Sequence, residues 1–168
     1  MRVSVLGGGP AGLYSAILLK SRGLADEVTV FERNPKGATF GYGIVFSGST
    51  LANLHSADPP SHAGISDIAE TWTDVIVGHP RGTVRIGGND FAGVARLDFL
   101  RVLRERAMDL GVDVRYEAAV NEPSAVAGAD LLIGADGVGS SVRGWHADAF
   151  APRFDERRNW YIWLGTAH

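Results

Sequence analysis

The sequence predicts an α/β fold: a parallel βαβ core opening on a glycine-rich turn, joined to part of an antiparallel sheet. Three observations carry this. Glycines at 7, 8, 9 and 12 separate an apolar, β-branched run from a helical pattern. A second apolar run follows within the first 32 residues, and alternation over 72–86 then changes the sheet type.

Taken in order, Arg2 to Leu6 reads as a strand that runs into the glycine turn. Leu13, Ala16 and Ile17 mark one face of a helix over 11–22, widened by Leu18 and Leu19 and stopped by Gly23. Val28 to Phe31 is nearly all apolar, as in a strand buried on both faces, and completes the βαβ unit. From Asn34 to Pro60, glycines 37, 41, 43 and 48 interleave with Phe40, Tyr42 and Phe46 too irregularly for a long helix, with one helical turn expected at 51–54. Strands over 72–77 and 83–86 are expected to form a hairpin around His79-Pro80-Arg81-Gly82. Leu97, Leu100, Leu103, Ala107 and Leu110 then mark a helix face ended by Gly111, and Val112 to Val114 reads as a strand. Asp130 to Gly134 reads as a buried strand that delivers Asp136-Gly137 at its carboxyl end, where open α/β sheets bind ligands. A polar stretch runs from Arg143 to Arg158, and a strand-like run covers 160–164.

Composition narrows the function. The chain has 168 residues, with 16 Lys plus Arg against 19 Asp plus Glu, so its net charge of −3 offers no basic face for nucleic acid. With no cysteine, disulfides, thiolate nucleophiles and cysteine-ligated zinc are excluded. No apolar run reaches the roughly 20 residues that cross a bilayer, so no membrane partner is expected. The start of the chain carries no signal-peptide pattern, which makes cytoplasmic the expected location. The five histidines lack metal-binding spacing and no metal site is expected; nor is there a G-x-S-x-G elbow for a hydrolase.

Gly7-Gly8-Gly9-Pro10-Ala11-Gly12 satisfies G-x-G-x-x-G between a strand and a helix, the context that gives this pattern its meaning. Gly7 permits the tight turn, Gly9 lets a pyrophosphate approach the backbone, and Gly12 lets the helix pack on the strand. Pro10 and Ala11 open the helix, whose free N–H groups form an anion site. Glu32, 20 residues after Gly12, is placed to accept from ribose hydroxyls and to repel a 2′-phosphate, so FAD or NAD is expected in preference to NADP.

The glycine turn, Glu32-Arg33 and the segment Asp136-Gly137-Val138-Gly139-Ser140-Ser141-Val142-Arg143, which matches D-G-x-x-S-x-V-R, together resemble the group A flavoprotein monooxygenases, the para-hydroxybenzoate hydroxylase family. The resemblance implies a Rossmann-like FAD-binding core with NAD(P)H as co-substrate. The implied reaction is aromatic hydroxylation through a flavin C4a-hydroperoxide, with dioxygen and a small aromatic molecule as substrates. It implies that Asp136 and Gly137 contact the ribityl or pyrophosphate region, that Arg96 reaches the phosphates or ribityl chain, and that Arg33 flanks the adenine. The run Gly41-Tyr42-Gly43-Ile44-Val45-Phe46-Ser47 and the stretch 159–166 are similar to the branch acting on aromatic acyl-CoA thioesters. By that likeness Tyr42, Gly43, Val45, Phe46 and Ser47 form a loop near the flavin ring or substrate.

No catalytic side chain of the protein's own is assigned, because the reactivity belongs to the cofactor. The implied organisation is a discontinuous FAD-binding domain, 1–71 and 95–145, with incomplete substrate-domain segments at 72–94 and 146–168. Family members run well beyond this length, so the chain is expected to be the N-terminal portion of a hydroxylase. The alternatives are an FAD-binding module or truncated protein without turnover and, more weakly, an NAD-dependent dehydrogenase. The apolar strand at 160–164, without neighbours, is an expected self-association edge.

Overall fold

The computed structural model describes residues 1–160 and 162. The chain opens with β1 (Arg2–Leu6), α1 (Pro10–Ser21), β2 (Glu27–Phe31) and β3 (Gly43–Ser47). Two helices, α2 (Gly48–Ala57) and α3 (Pro59–Ser66), precede β4 (Glu70–Trp72), β5 (Val75–His79), β6 (Gly82–Ile86) and β7 (Phe91–Ala95). Then come α4 (Arg96–Asp109), β8 (Asp113–Arg115), a 3-10 turn (Pro123–Val126), β9 (Leu131–Gly134), α5 (Ser141–Trp145) and α6 (Ala147–Phe150).

The first sheet is parallel, in the order β8-β2-β1-β9, with Val5 in register with Val30 on one side and Ile133 on the other. Because β1 has its sequence neighbour on one flank and the late strand β9 on the other, the strand order reverses at its carboxyl end, the place where such sheets leave a crevice. The β-branched residues Val3, Val5, Val28 and Val30 are buried, and α1 covers them with Leu13, Ala16 and Ile17, the face expected. Against α1 lies α4, which buries Phe99, Leu100, Leu103 and Ala107. Leu97, expected on that face, is half exposed; Phe99 takes its place. Gly23 and Gly111 end the two helices with positive φ of 64° and 77°, a conformation that costs glycine little.

The second sheet is antiparallel, β3-β7-β4, and corrects the expectation of an irregular loop over 42–47. Gly43 to Ser47 pair with Ala95 to Phe91 along their whole length. The sheet buries Phe46, Ala92 and Val94, and Phe46 meets Phe99 edge-on at 5.3 Å between centroids. A single helical turn at 51–54 is likewise corrected: α2 spans ten residues, its first turn capped by the Ser47 hydroxyl, which accepts from Thr50 N at 3.3 Å. Helix α3 follows at once. Asp58 caps it, accepting from Ser61 N–H at 3.1 Å and from the Ser61 hydroxyl at 2.7 Å. Arg106 of α4 closes on the same carboxylate at 2.8 and 3.1 Å.

The expected strand over 72–77 is two strands. β4 belongs to the second sheet, whereas β5, among the described residues, pairs with β6 alone in the expected hairpin, His79 facing Gly82 across Pro80-Arg81. The break falls at Thr73-Asp74, where Asp74 takes the Arg85 guanidinium and Thr73 O accepts from Asn89 N–H. β9, expected to be buried, is half exposed and borders the parallel sheet among the described residues. The strand-like run at 160–164 lies largely outside the described residues, since 161, 163 and 164 are not among them. No described helix is long and apolar enough to cross a membrane.

Candidate functional site

The carboxyl ends of β1, β2 and β9 open into a cavity of about 380 Å³. Gly7, Gly9, Pro10, Ala11, Glu32, Arg33, Arg96, Asp136 and Gly137 all line it. Gly12 does not; it lies beneath, between α1 and the turn. A Cβ there would sit 1.9 Å from Gly7 O, so the helix meets the strand only because this side chain is absent. Gly7 adopts φ +108° and a Cβ on it would stand 2.2 Å from Ala135 O, so the turn presses directly on the end of β9.

Gly9 is different. A Cβ there meets nothing within 4 Å and its φ of −77° suits any residue, so the fold itself makes no demand for glycine at this position. What an added side chain fills is the mouth of the cavity at the start of α1. No side chain caps that helix, whose first N–H groups have no intrahelical partners. Together they form a cradle for an anion.

Glu32 holds the turn in place. Its Oε2 accepts from Gly8 N–H at 2.8 Å, and its Oε1 accepts from Asn34 N–H at 2.8 Å and Asn34 Nδ2 at 2.7 Å. A carboxylate offers about four acceptor positions, so one on Oε2 stays open toward the cavity. Gly8, the unspecified position of the sequence pattern, is constrained here as well: a Cβ would sit 2.9 Å from Glu32 Cβ.

Asp136 faces inward onto its own loop. Its carboxylate accepts from the Ser140 hydroxyl at 2.6 Å, Ser141 N–H at 2.5 Å and Val142 N–H at 3.3 Å, tying β9 to the first turn of α5. Burial pushes its pKa up, but these hydrogen bonds outweigh that and hold it below the usual carboxylate range. Asp136 therefore lines the cavity as the clamp of the 137–140 loop, with one acceptor position on Oδ1 left over by the same count.

Arg96 starts α4, held there by its N–H donating to Tyr42 O at 3.0 Å. Its side chain lines the main cavity and a smaller one of about 80 Å³ beside Gly8 and Gly9. The Nε is buried without a hydrogen-bond partner, as is Thr39 Oγ1 in the same small pocket. A buried, unpaired guanidinium N–H is costly, and an oxyanion lodged at Gly9 would satisfy it. The donors here fit the diphosphate of a dinucleotide.

Tyr42, Gly43, Val45, Phe46 and Ser47 do not line this cavity. Phe46 is core and Ser47 a helix cap, while Tyr42 and Val45 are exposed. Asn34, Thr39, Phe40, Ala118 to Asn121, Gly139 and Ser141 join the two pockets without having been singled out. Only Asn34, two residues after Glu32, stood where a strand-end acceptor needs a donor. Among the described residues no group of three or more acidic or histidine side chains is placed to hold a metal ion.

Comparison with known proteins agrees with this geometry. Residues 5–41 match the family model of the NAD(P)-binding Rossmann-like domain. The chain is 38% identical over its full length to a salicyloyl-CoA 5-hydroxylase of Streptomyces sp, covering 32% of that protein. It is 32% identical, over 99% of its length, to 46% of a 3-hydroxy-4-methyl-anthranilyl-[aryl-carrier protein] 5-monooxygenase of Streptosporangium sibiricum. Among solved structures, the tetrameric form of 2-methyl-3-hydroxypyridine-5-carboxylic acid oxygenase superposes with a TM-score of 0.74 at 29% identity, over 85% of this chain and 41% of that one. The chain thus spans 32% to 46% of the length of these proteins.

Proposed function

We propose that this chain is the nucleotide-binding part of a flavin-dependent aromatic monooxygenase, as its likeness to such proteins supports, and that it holds FAD across the carboxyl ends of β1, β2 and β9. The observation that carries the reading is the buried, unpartnered Arg96 Nε beside the open Gly9 cradle. In it the α1 N-terminus and Arg96 hold the diphosphate, and Glu32 accepts from a ribose hydroxyl through its free Oε2 position. Arg33, exposed at the cavity rim, flanks the adenine. Asp136 acts on the flavin side through the loop it clamps, presenting the Gly137 backbone. Tyr42, exposed just before β3, and Val45, exposed on it, face the ring-binding side.

Bound there, the flavin supplies reduction by NAD(P)H and transfer of one oxygen atom from dioxygen to an electron-rich ring. The chain's own residues position the cofactor and keep water from it. We assign 1–71 and 95–145 to the FAD-binding unit and 72–94 and 146–168 to the substrate-binding part, in the cytoplasm. The substrate we propose is an aromatic acyl thioester, because both curated relatives above are named for one, a coenzyme A ester and a carrier-protein ester.

A purified chain that is yellow and releases FAD on denaturation supports this reading; a colourless chain with no affinity for added FAD overturns it. The second reading is an FAD-binding module without turnover. Substrate-stimulated NAD(P)H oxidation separates the two. Stimulation by an aromatic acyl thioester makes the chain an enzyme, and its absence with FAD bound leaves the module.

A further inference from the structure

A second cavity, of about 740 Å³, lies apart from the nucleotide site, between α2, α3 and the β4-β7 edge. On its helical side are His55 and His62, their rings edge-to-face at 4.9 Å. On its sheet side Trp72 stacks on Phe91 at 5.9 Å, and Leu51 adds apolar surface. Thr71, Thr73 and Asp90 complete the polar lining. The corner at Asp90 is built closely: Gly48 N–H donates to Asp90 O at 2.8 Å, and a Cβ on Gly48 would come 2.8 Å from Asp90 Cβ.

The cavity has a definite position relative to the proposed flavin. β3 and β7 start and end beside Arg96, at Gly43 and Ala95, and reach the cavity at Ser47-Gly48 and Phe91. The two sites are therefore one five-residue strand apart, about 13 Å at about 3.3 Å per step.

We propose that this cavity binds the 4′-phosphopantetheine arm of the substrate, the group common to coenzyme A and to acyl-carrier proteins; the inference rests on the thioester reading above. The arm's chemistry matches the lining from end to end. Its geminal dimethyl group packs on Trp72, Phe91 and Leu51. Its two amides find hydroxyl partners in Thr71 and Thr73 and an acceptor for N–H in the Asp90 carboxylate. Its phosphate sits at the opposite, helical side, where ring N–H groups of His55 and His62, the latter also 3.5 Å from Ser66 Oγ, are placed to donate. The thiol ester end then runs along β3 toward the flavin side.

Calorimetric titration of the chain with coenzyme A, 4′-phosphopantetheine, pantetheine and 3′,5′-ADP tests this. Coenzyme A and phosphopantetheine should bind with 1:1 stoichiometry, and pantetheine about tenfold more weakly for want of the phosphate. Trp72→Ala and the double change His55→Ala/His62→Ala should each weaken coenzyme A about tenfold and leave FAD affinity unchanged. Trp72→Phe, which keeps the stack, should retain binding and controls for folding. Flat titrations, or binding insensitive to these changes in folded protein, overturn the assignment; so does 3′,5′-ADP binding as tightly as coenzyme A, which would place recognition on the nucleotide. If both coenzyme A and phosphopantetheine bind, the arm is free to come from either source; binding of coenzyme A alone again overturns the assignment. FAD uptake is read separately by absorbance, so a failed arm with FAD bound leaves the flavin reading intact. Failed FAD uptake sinks that reading on its own.

Discussion

The parallel and antiparallel sheets of this molecule are built from different materials. The parallel sheet rests on runs of valine and leucine, with β1 buried from Val3 to Leu6, and its one strand glycine, Gly134, stands at the end of β9. The antiparallel sheet carries glycine inside its strands, at 43 and 93, and buries one face only, through Phe46, Ala92 and Val94. On the other face Trp72 lies where a Gly93 side chain would be, within 2.9 Å of the Cβ position. One sheet sets a layer of buried valines beneath the proposed nucleotide site. The other offers a thin wall with aromatic furniture, the kind of surface on which substrate recognition can be built.

The largest expected effect comes from closing the gap between α1 and the turn. Gly12→Ala puts a methyl 1.9 Å from Gly7 O, against backbone that has nowhere to go. It should cost about 3 kcal/mol or more and be seen in urea denaturation as a collapse of the folded baseline; a midpoint equal to wild type would show that the helix can slide.

Next is the tie between the helices that flank the two sheets. The Asp58 side chain is 3% exposed and its partner Arg106 22%. Burial pushes the Asp58 carboxyl up, but the Arg106 and Ser61 hydrogen bonds prevail and hold its pKa below the usual value. Its contribution is therefore complete above the ordinary aspartate range, about pH 4, and is lost as the pH falls through the depressed native value. Asp58→Asn should destabilise by about 3 kcal/mol at pH 7, since it leaves Arg106 unpaired. It should also flatten the acid limb of the stability profile, and an unchanged limb would mean that other carboxylates set it.

The smallest effect is expected in the β5-β6 hairpin, where Ile76, Val77, Val84 and Ile86 are all exposed. Val84 is 58% exposed, so Val84→Thr should shift stability by less than about 0.5 kcal/mol. A larger loss in the thermal midpoint would reveal that this hairpin is covered in solution.

How much was legible follows the same division. β1, α1, β2, α4 and the hairpin turn were readable because apolar periodicity and glycine stops stand out locally. β3 and β7 were not: Gly43 and Gly93 dilute short strands with only two inward residues apiece, and long-range pairing alone makes them regular. Helix α3, rich in proline, serine and glycine, depends on its Asp58 cap and on Arg106, 48 residues away. In the site, Gly7, Glu32 and Arg96 announced themselves by spacing or resemblance. Thr39, Phe40 and 118–121 could not, since the fold brings them to the cavity with no pattern of their own. Asp136 was found for its place in a motif, while its hydrogen bonds show that it works as a clamp.

Gly9 isolates the proposed seat of a dinucleotide's diphosphate at the head of α1, being the one glycine of the turn with open space where its Cβ would be. The direct measurement is FAD affinity of Gly9→Val beside its denaturation midpoint. Gly9→Val, at the α1 N-cap, should cost no more than about 1 kcal/mol of stability and lower FAD affinity at least about a hundredfold. Stoichiometric FAD retained by a folded Gly9→Val chain would contradict it.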